Sequence, residues 1–143
     1  MSDLPGFLRG RETLVERVCV LVVWLAVAIQ LAEAFEVLTD PWLPLGSGFL
    51  SSAALGVDAW VVGVRKERAR GPSIANLSPG GWACFGAMLW IVAVPAYFFG
   101  ARRRVKRGDD EGIEVEPVTW GSWVAIAIVF VIGALTSLGG VIG

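Results

Sequence analysis

Long apolar segments alternate with short, charged ones along this chain. Three of the apolar segments, residues 14–38, 81–101 and 118–142, are each long enough to cross a bilayer. About 20 helical residues at 1.5 Å per residue span a hydrocarbon core of roughly 30 Å. Because only helices and closed barrels satisfy their backbone groups in lipid, the pattern predicts an all-α integral membrane protein with three transmembrane helices.

A fourth segment, residues 42–64, leaves the number of spans open. It is long enough to cross, but Pro44, Gly46, Gly48 and Asp58 interrupt its apolar character. A charge at the centre of a transmembrane helix costs about 2.5–3.5 kcal/mol, although Asp58 lies near the end of the segment. We predict an interfacial or re-entrant segment here, with a further transmembrane helix as the alternative.

The remaining segments are polar and too short to bury a core of their own, so the chain is predicted to be a single membrane domain. They are an N-terminal arm (1–13), a basic loop with Gly-Pro and Pro-Gly turns (65–80) and a basic, then acidic, linker (102–117).

Charge is scarce and segregated. Hydrophobic residues make up 55% of the chain and charged residues 17%, below the roughly 25% of soluble domains. The basic residues flank the apolar segments, which is typical of stop-transfer flanks and argues against a nucleic-acid partner. They form three clusters: Arg9, Arg11 and Arg17; Arg65, Lys66, Arg68 and Arg70; and Arg102, Arg103, Arg104, Lys106 and Arg107.

The distribution of these clusters predicts an orientation. With three spans and a cytoplasmic N-terminus, the first and third clusters face the cytoplasm and the second lies outside; with four spans, the first and second face the cytoplasm. The positive-inside rule favours the three-span topology, which places residues 40–80 and the C-terminus outside.

The residue types limit the chemistry. The chain contains no histidine, the commonest general base, metal ligand and haem ligand. It also lacks a Walker loop, a GxGxxG motif, a CxxC motif and a nucleophile–base pair. We therefore predict a non-catalytic protein that ligates no metal or cofactor, while contact with a lipid, quinone or pigment stays open.

A polar stripe marks the end of the first predicted helix. Gln30, Glu33, Glu36 and Asp40 fall on one face at 100° per residue. Ionisable residues at membrane depth suggest a proton relay or cation site. The interpretation we favour is an acidic rim that pairs with the basic cluster of residues 65–70, which the three-span topology places on the same side.

Two further patterns concern the surfaces of the helices. Small residues four apart allow close helix packing, within the bundle or against another chain. Tryptophans near segment ends suit the headgroup level and contact with lipid or pigment. The small residues are Ala28, Ala32, Gly133, Thr136, Ser137 and Gly140, and the tryptophans are Trp42, Trp60, Trp82, Trp120 and Trp123.

One stretch, residues 57–104, is similar to a segment of small, uncharacterised bacterial membrane proteins. The similarity covers about a third of the chain, with Val94 in place of a phenylalanine and Phe98 in place of a leucine. It implies a bacterial source and no activity, and it treats 57–104 as one unit, which gives some support to the four-span alternative. The matching residues are Asp58, Ala59, Gly63, Val64, Arg65, Lys66, Pro79, Trp82, Leu89, Trp90, Ile91, Val92, Pro95 and Tyr97.

The sequence thus predicts a non-catalytic accessory subunit of a larger bacterial inner-membrane complex, such as a respiratory or photosynthetic assembly. Its expected partners are other membrane subunits, in a hetero-oligomer, and lipids. The alternative is an oligomeric ion or proton transport component that uses Glu33 and Glu36.

Overall fold

Helices account for most of the computed structural model, which describes residues 10–36, 41–67, 76–108 and 115–142, with side chains as far as residue 139. The described part holds no strand, only an isolated bridge between Glu67 and Val115. The all-α prediction is confirmed. The helices are α1 (Glu12–Ala34), α2 (Trp42–Val62), α3 (Pro79–Met88), α4 (Trp90–Ala96), a π-helix (Tyr97–Ala101), α5 (Arg102–Lys106) and α6 (Trp120–Ile142).

The segment whose span was open, α2, is a continuous helix at the centre of the bundle. Its 21 residues rise about 31 Å. The outer helices α1 and α6 pack against it and run antiparallel to it. A Cβ added to Gly56 of α2 would lie 2.8 Å from Ile126 of α6, and one added to Gly133 would lie 2.8 Å from the backbone nitrogen of Leu50. Within the described part of the chain, three helices are long and apolar enough to cross a membrane: α1, α2 and α6.

The predicted single helix over 81–101 is divided. Ser78 caps α3, because its hydroxyl accepts a hydrogen bond from the Gly81 amide at 3.1 Å, and α3 ends after ten residues. Leu89 leaves the helical region, with φ −135° and ψ 59°, and α4 begins at the next residue.

The chain turns back at Leu89, so residues 79–106 form a hairpin. The outward arm, α3, packs against α2 and α6: a Cβ on Gly86 would lie 2.8 Å from the Ser52 hydroxyl. The return arm, residues 90–106, passes the same helix in the other direction. Its Trp90 donates a hydrogen bond to Ser51, and its Tyr97 donates one to Asp58. The ring of Tyr97 also lies 5.2 Å from that of Trp82 on α3, which shows that the two arms are side by side.

Because the hairpin enters and leaves on the same side, the basic segments come together. We call the end where α1 and α6 begin and α2 ends the basic end. Every Lys and Arg that the structure describes lies there, and the opposite end carries Glu33 and Glu36. The nine basic residues are Arg11, Arg17, Arg65, Lys66, Arg102, Arg103, Arg104, Lys106 and Arg107.

This arrangement differs from the predicted one in two respects. The 42–64 segment holds one of the helices long and apolar enough to cross a membrane, whereas residues 79–106 fold back as a hairpin. Residues 63–67 therefore lie at the same end of the bundle as the beginning of α1.

Local contacts hold the connections at the basic end. Gly63 ends α2 at φ 101°, a left-handed conformation that glycine adopts without a Cβ clash. The amide of Glu67 donates to the Asn76 side chain at 2.6 Å, and Asn76 Nδ2 donates back to the Glu67 carbonyl at 3.0 Å. The Glu116 amide donates to the carbonyl of Lys66 at 2.8 Å, which joins the linker before α6 to the loop after α2.

Candidate functional site

The polar residues of α2 face inward. Ser47, Ser51, Ser52 and Asp58 are all buried in a helix whose other residues are mainly apolar. The serine hydroxyls bond to backbone carbonyls within α2, as Ser52 does to Gly48 at 2.7 Å, so their polar groups are satisfied locally. Asp58 is different, because its carboxylate is only 1% exposed and needs partners from other elements.

Those partners come from the return arm. The Tyr97 hydroxyl and Arg102 Nε both donate to Asp58 Oδ2, at 2.5 and 2.9 Å. Arg102 Nη2 also donates a hydrogen bond to Glu16 of α1 at 2.6 Å, and Lys106 Nζ lies 2.5 Å from the same carboxylate. We call Glu16, Asp58, Tyr97, Arg102 and Lys106 the ionic network. It joins α1, α2 and the hairpin at the basic end.

The charges of the ionic network balance. Two carboxylates face one guanidinium and one ammonium, so the ionic network itself carries no net charge. Burial lowers the pKa of Arg102, but the Asp58 carboxylate raises it, and the pKa lies above its ordinary value. Arg102 therefore stays charged, and it also lies over the Phe98 ring, 5.6 Å from its centroid.

Two polar atoms beside the ionic network have no hydrogen-bond partner among the described residues. They are Asp58 Oδ1 and the indole nitrogen of Trp82, whose ring packs edge-on against Tyr97. Trp82 is fully buried, so this tryptophan contacts protein and not the membrane interface at which we predicted it.

A cavity of about 520 Å³ lies at the opposite end, beside the hairpin tip, residues 88–92. We call it the tip cavity. Gln30 and Glu33 line it, as do the first turns of α2. Gln30 donates to the Pro44 carbonyl at 2.7 Å and to Ser47 at 3.4 Å, which joins α1 to α2 at this wall.

The predicted polar stripe is only partly brought together. Gln30 and Glu33 reach the tip cavity, whereas Glu36, two residues beyond the end of α1, is left-handed, φ 60°, and exposed. Asp40 lies outside the described residues. The rim interpretation is wrong for Arg65 and Lys66, because these lie at the basic end.

Arg65 has a local role instead. Its guanidinium donates to the carbonyls of Ala59, Trp60 and Val64, at 3.1, 3.0 and 3.0 Å, and so caps the C-terminal end of α2.

Only some of the predicted packing residues lie at helix contacts inside the bundle. Gly133 and Ser137 of α6 face α2, against Leu50 and Gly46, so this small-residue face packs inside the bundle. Ala28 is exposed, Ala32 is half-buried, Thr136 donates to the Ile132 carbonyl of its own helix, and the surroundings of Gly140 lie outside the described residues.

The other predicted interfacial tryptophans also differ from one another. Trp42 and Trp120 are exposed at the first residues of α2 and α6, as a headgroup position requires. Trp60 is buried and packs edge-on against Trp123, with ring centroids 5.1 Å apart.

Sequence reasoning missed the ionic network. A signal for it was present, because an ionisable residue in an apolar segment, such as Asp58, is a candidate site by default. Its partners could not be found in the same way, since Arg102 reads as the first residue of a basic flank and Tyr97 as an aromatic residue in a span. Among the described residues, no three His, Cys, Asp or Glu side chains are grouped to hold a metal ion.

No protein-family model matches the sequence, and comparison with curated proteins and with solved structures gave no match. Four residues of the 57–104 stretch lie at the contact between the hairpin and α2: Asp58, Trp82, Trp90 and Tyr97.

Proposed function

We propose that this chain is a non-catalytic accessory subunit of a larger assembly in a bacterial cytoplasmic membrane, with a respiratory or photosynthetic complex as a suitable host. The main support for this proposal is the exposed apolar surface of the hairpin tip. Met88 and Ile91 are 81% and 82% exposed there. The neighbouring Trp90 bonds to Ser51, which lies 11 residues, or about 17 Å, before the end of α2, so the hairpin tip lies beside the middle of that helix. A partner helix packed over the tip and its cavity would cover these side chains.

The outer spans support the same proposal. Only 17% of the apolar window of α1 and 22% of that of α6 is buried, compared with 61% for α2. Their outward faces are therefore available to partner helices or lipid. Asp58, the buried carboxylate of α2, is paired within the ionic network, which suits a structural element better than a catalytic one.

The basic end supports a cytoplasmic N-terminus. Lys and Arg are enriched in the cytoplasmic flanks of membrane proteins, and all nine described basic residues lie at that end. The three spans α1, α2 and α6 then put the C-terminal end of α6 outside.

Site-specific photo-crosslinking tests the proposal in native membranes. A photoreactive residue at Ile91 on the tip should capture a heterologous membrane protein, and native sizing with mass spectrometry should find the same protein at fixed stoichiometry. Position Arg103, exposed at the basic end, is the matched control and should not capture it. A chain that migrates alone or only with copies of itself would contradict the proposal.

One observation favours the alternative, an ion or proton transport component. Glu33 lies at the wall of a cavity at membrane depth, where carboxylates often serve transport. Glu33→Gln should then abolish ion flux into proteoliposomes. Glu36→Gln is the matched control, since Glu36 does not line the tip cavity. Equal flux in both variants and the unmodified chain would exclude a role for this carboxylate.

A further inference from the structure

A second cavity, of about 470 Å³, lies between α1 and α6 on the face of α2 that the hairpin leaves open. We call it the α1/α6 groove. Its floor is formed by Ala53 and Ala54, which carry no long side chains, and its walls by Val22 of α1 and by Trp123 and Phe130 of α6. Its lining is almost wholly apolar, and its size is within the range of about 300–1,000 Å³ for small-molecule sites.

The hairpin lies on the other side of α2. Its outward arm packs between α2 and α6, and its return arm reaches α1 through Arg102 and through Phe98, whose ring lies 6.3 Å from Trp24. No described element of the chain therefore covers the α1/α6 groove.

The depth of the groove matches one leaflet. It extends along α6 from Trp123 to Phe130, and Phe130 is ten residues, or about 15 Å, from the beginning of that helix at the basic end. Half of a hydrocarbon core of roughly 30 Å is the same distance. An acyl chain that enters from the basic end would fill it, whereas a transmembrane helix would extend well beyond it.

A positive charge lies near the mouth of the α1/α6 groove, which is its end closest to the basic end, and it favours an anionic headgroup. On α1, Val15 packs against the buried cluster that includes Trp60 and Ile126, and Val22 lines the groove, so this part of α1 lies beside the groove. Arg11 lies one turn before Val15 and is exposed at the basic end. A guanidinium in this position suits a lipid phosphate.

We infer that the α1/α6 groove binds one acyl chain of an anionic phospholipid from the leaflet at the basic end, with its phosphate near Arg11. Trp123, half-buried against Trp60, lines the groove near the basic end, where an amphipathic ring suits the headgroup level. This lipid site concerns the isolated chain, so it does not depend on whether the chain is an accessory subunit.

Native mass spectrometry of the purified, delipidated full chain in detergent tests the inference. Phosphatidylglycerol should bind as one retained lipid per chain, more tightly than phosphatidylcholine with the same acyl chains. Ala127→Trp should fill the groove and reduce phosphatidylglycerol retention to the level of phosphatidylcholine, since Ala127 is an exposed wall residue. Ala28→Trp, at an exposed alanine of α1 outside the groove, is the matched control and should bind normally.

The headgroup contact is tested separately. Arg11→Gln should weaken phosphatidylglycerol binding about fivefold, equivalent to about 1 kcal/mol, and leave phosphatidylcholine unchanged. Arg103→Gln, on the hairpin side of the basic end, should have no effect. Equal retention of the two lipids, unchanged binding in Ala127→Trp, or a second copy of the chain in place of lipid would each overturn the inference.

Discussion

The base and the tip of the hairpin contact the same helix, α2, by different chemistry. At the base, Tyr97 and Arg102 surround a buried carboxylate, and Arg102 continues to Glu16 of α1. At the tip, the contact with α2 includes one indole–hydroxyl hydrogen bond, from Trp90 to Ser51 at 2.7 Å, beside an open cavity. Several charged and polar contacts therefore hold the base in place, whereas the tip stays exposed and available to another molecule.

This difference has a physical reason. Removing one partner of a buried ion pair leaves an uncompensated charge, so the partners of Asp58 fix the position of the base. The exposed apolar side chains of the tip are satisfied by lipid or by a partner without directional constraint. Substitutions at the base should therefore change stability, whereas substitutions at the tip should change association.

The largest effect is expected from removing the central carboxylate. Asp58→Ala leaves Arg102 without one of its two anionic partners and Tyr97 without an acceptor, so it should lower the free energy of unfolding by about 3–5 kcal/mol. Denaturant titration in detergent micelles measures this value. A variant as stable as the unmodified chain would show that the ionic network does not hold the base.

The next effect concerns how closely the outward arm packs on α2. Gly86→Ala places a Cβ 2.8 Å from the Ser52 hydroxyl and 3.3 Å from Leu55, and it should cost about 1–3 kcal/mol. Gly100→Ala, on the return arm, meets nothing within 4 Å and should be neutral or stabilising by up to about 1 kcal/mol. Equal effects of the two substitutions, in the same titration, would argue against close packing at Gly86.

A smaller effect is expected at the tip. Trp90→Phe removes the hydrogen bond to Ser51 and should cost about 1 kcal/mol, with faster amide exchange in residues 88–92. Ser51→Ala should cost a similar amount, and the double variant should cost less than the sum of the two single effects. Strictly additive costs would mean that the two side chains act independently.

The smallest effect on stability is expected from Glu33→Gln. Glu33 is exposed at the wall of the tip cavity. The free energy of unfolding of the variant should therefore stay within about 0.5 kcal/mol of that of the unmodified chain. Thermal unfolding in micelles checks this. A larger loss would show that Glu33 stabilises the fold, as the residues at the base do. A loss of ion flux in this variant could then result from lower stability.

Much of the fold could be predicted from local patterns. Runs of more than 20 apolar residues predict α1 and α6 directly, because length and hydropathy decide membrane insertion. The span of α2 was harder to predict, since Pro44, Gly46, Gly48 and Asp58 count against a lipid-facing helix. In the structure Pro44, Gly46 and Asp58 are buried against other helices, where small or paired residues are suitable.

The hairpin could not be predicted from local patterns. No glycine or proline marks the turn at Leu89, and the segment reads as an unbroken apolar run of spanning length. Counting basic residues on each side assumed that this run crosses the membrane. Because this segment folds back instead, the described residues of all three basic clusters lie at one end of the bundle.

By itself, then, the sequence determined the class of protein, the outer spans and the absence of histidine chemistry, since each depends on composition within one segment. The tertiary structure alone decided that α2 is central, that residues 79–106 turn back, and that Asp58 meets Tyr97 and Arg102. Those contacts join residues about 40 positions apart, and they stabilise the fold only when the hairpin packs against α2.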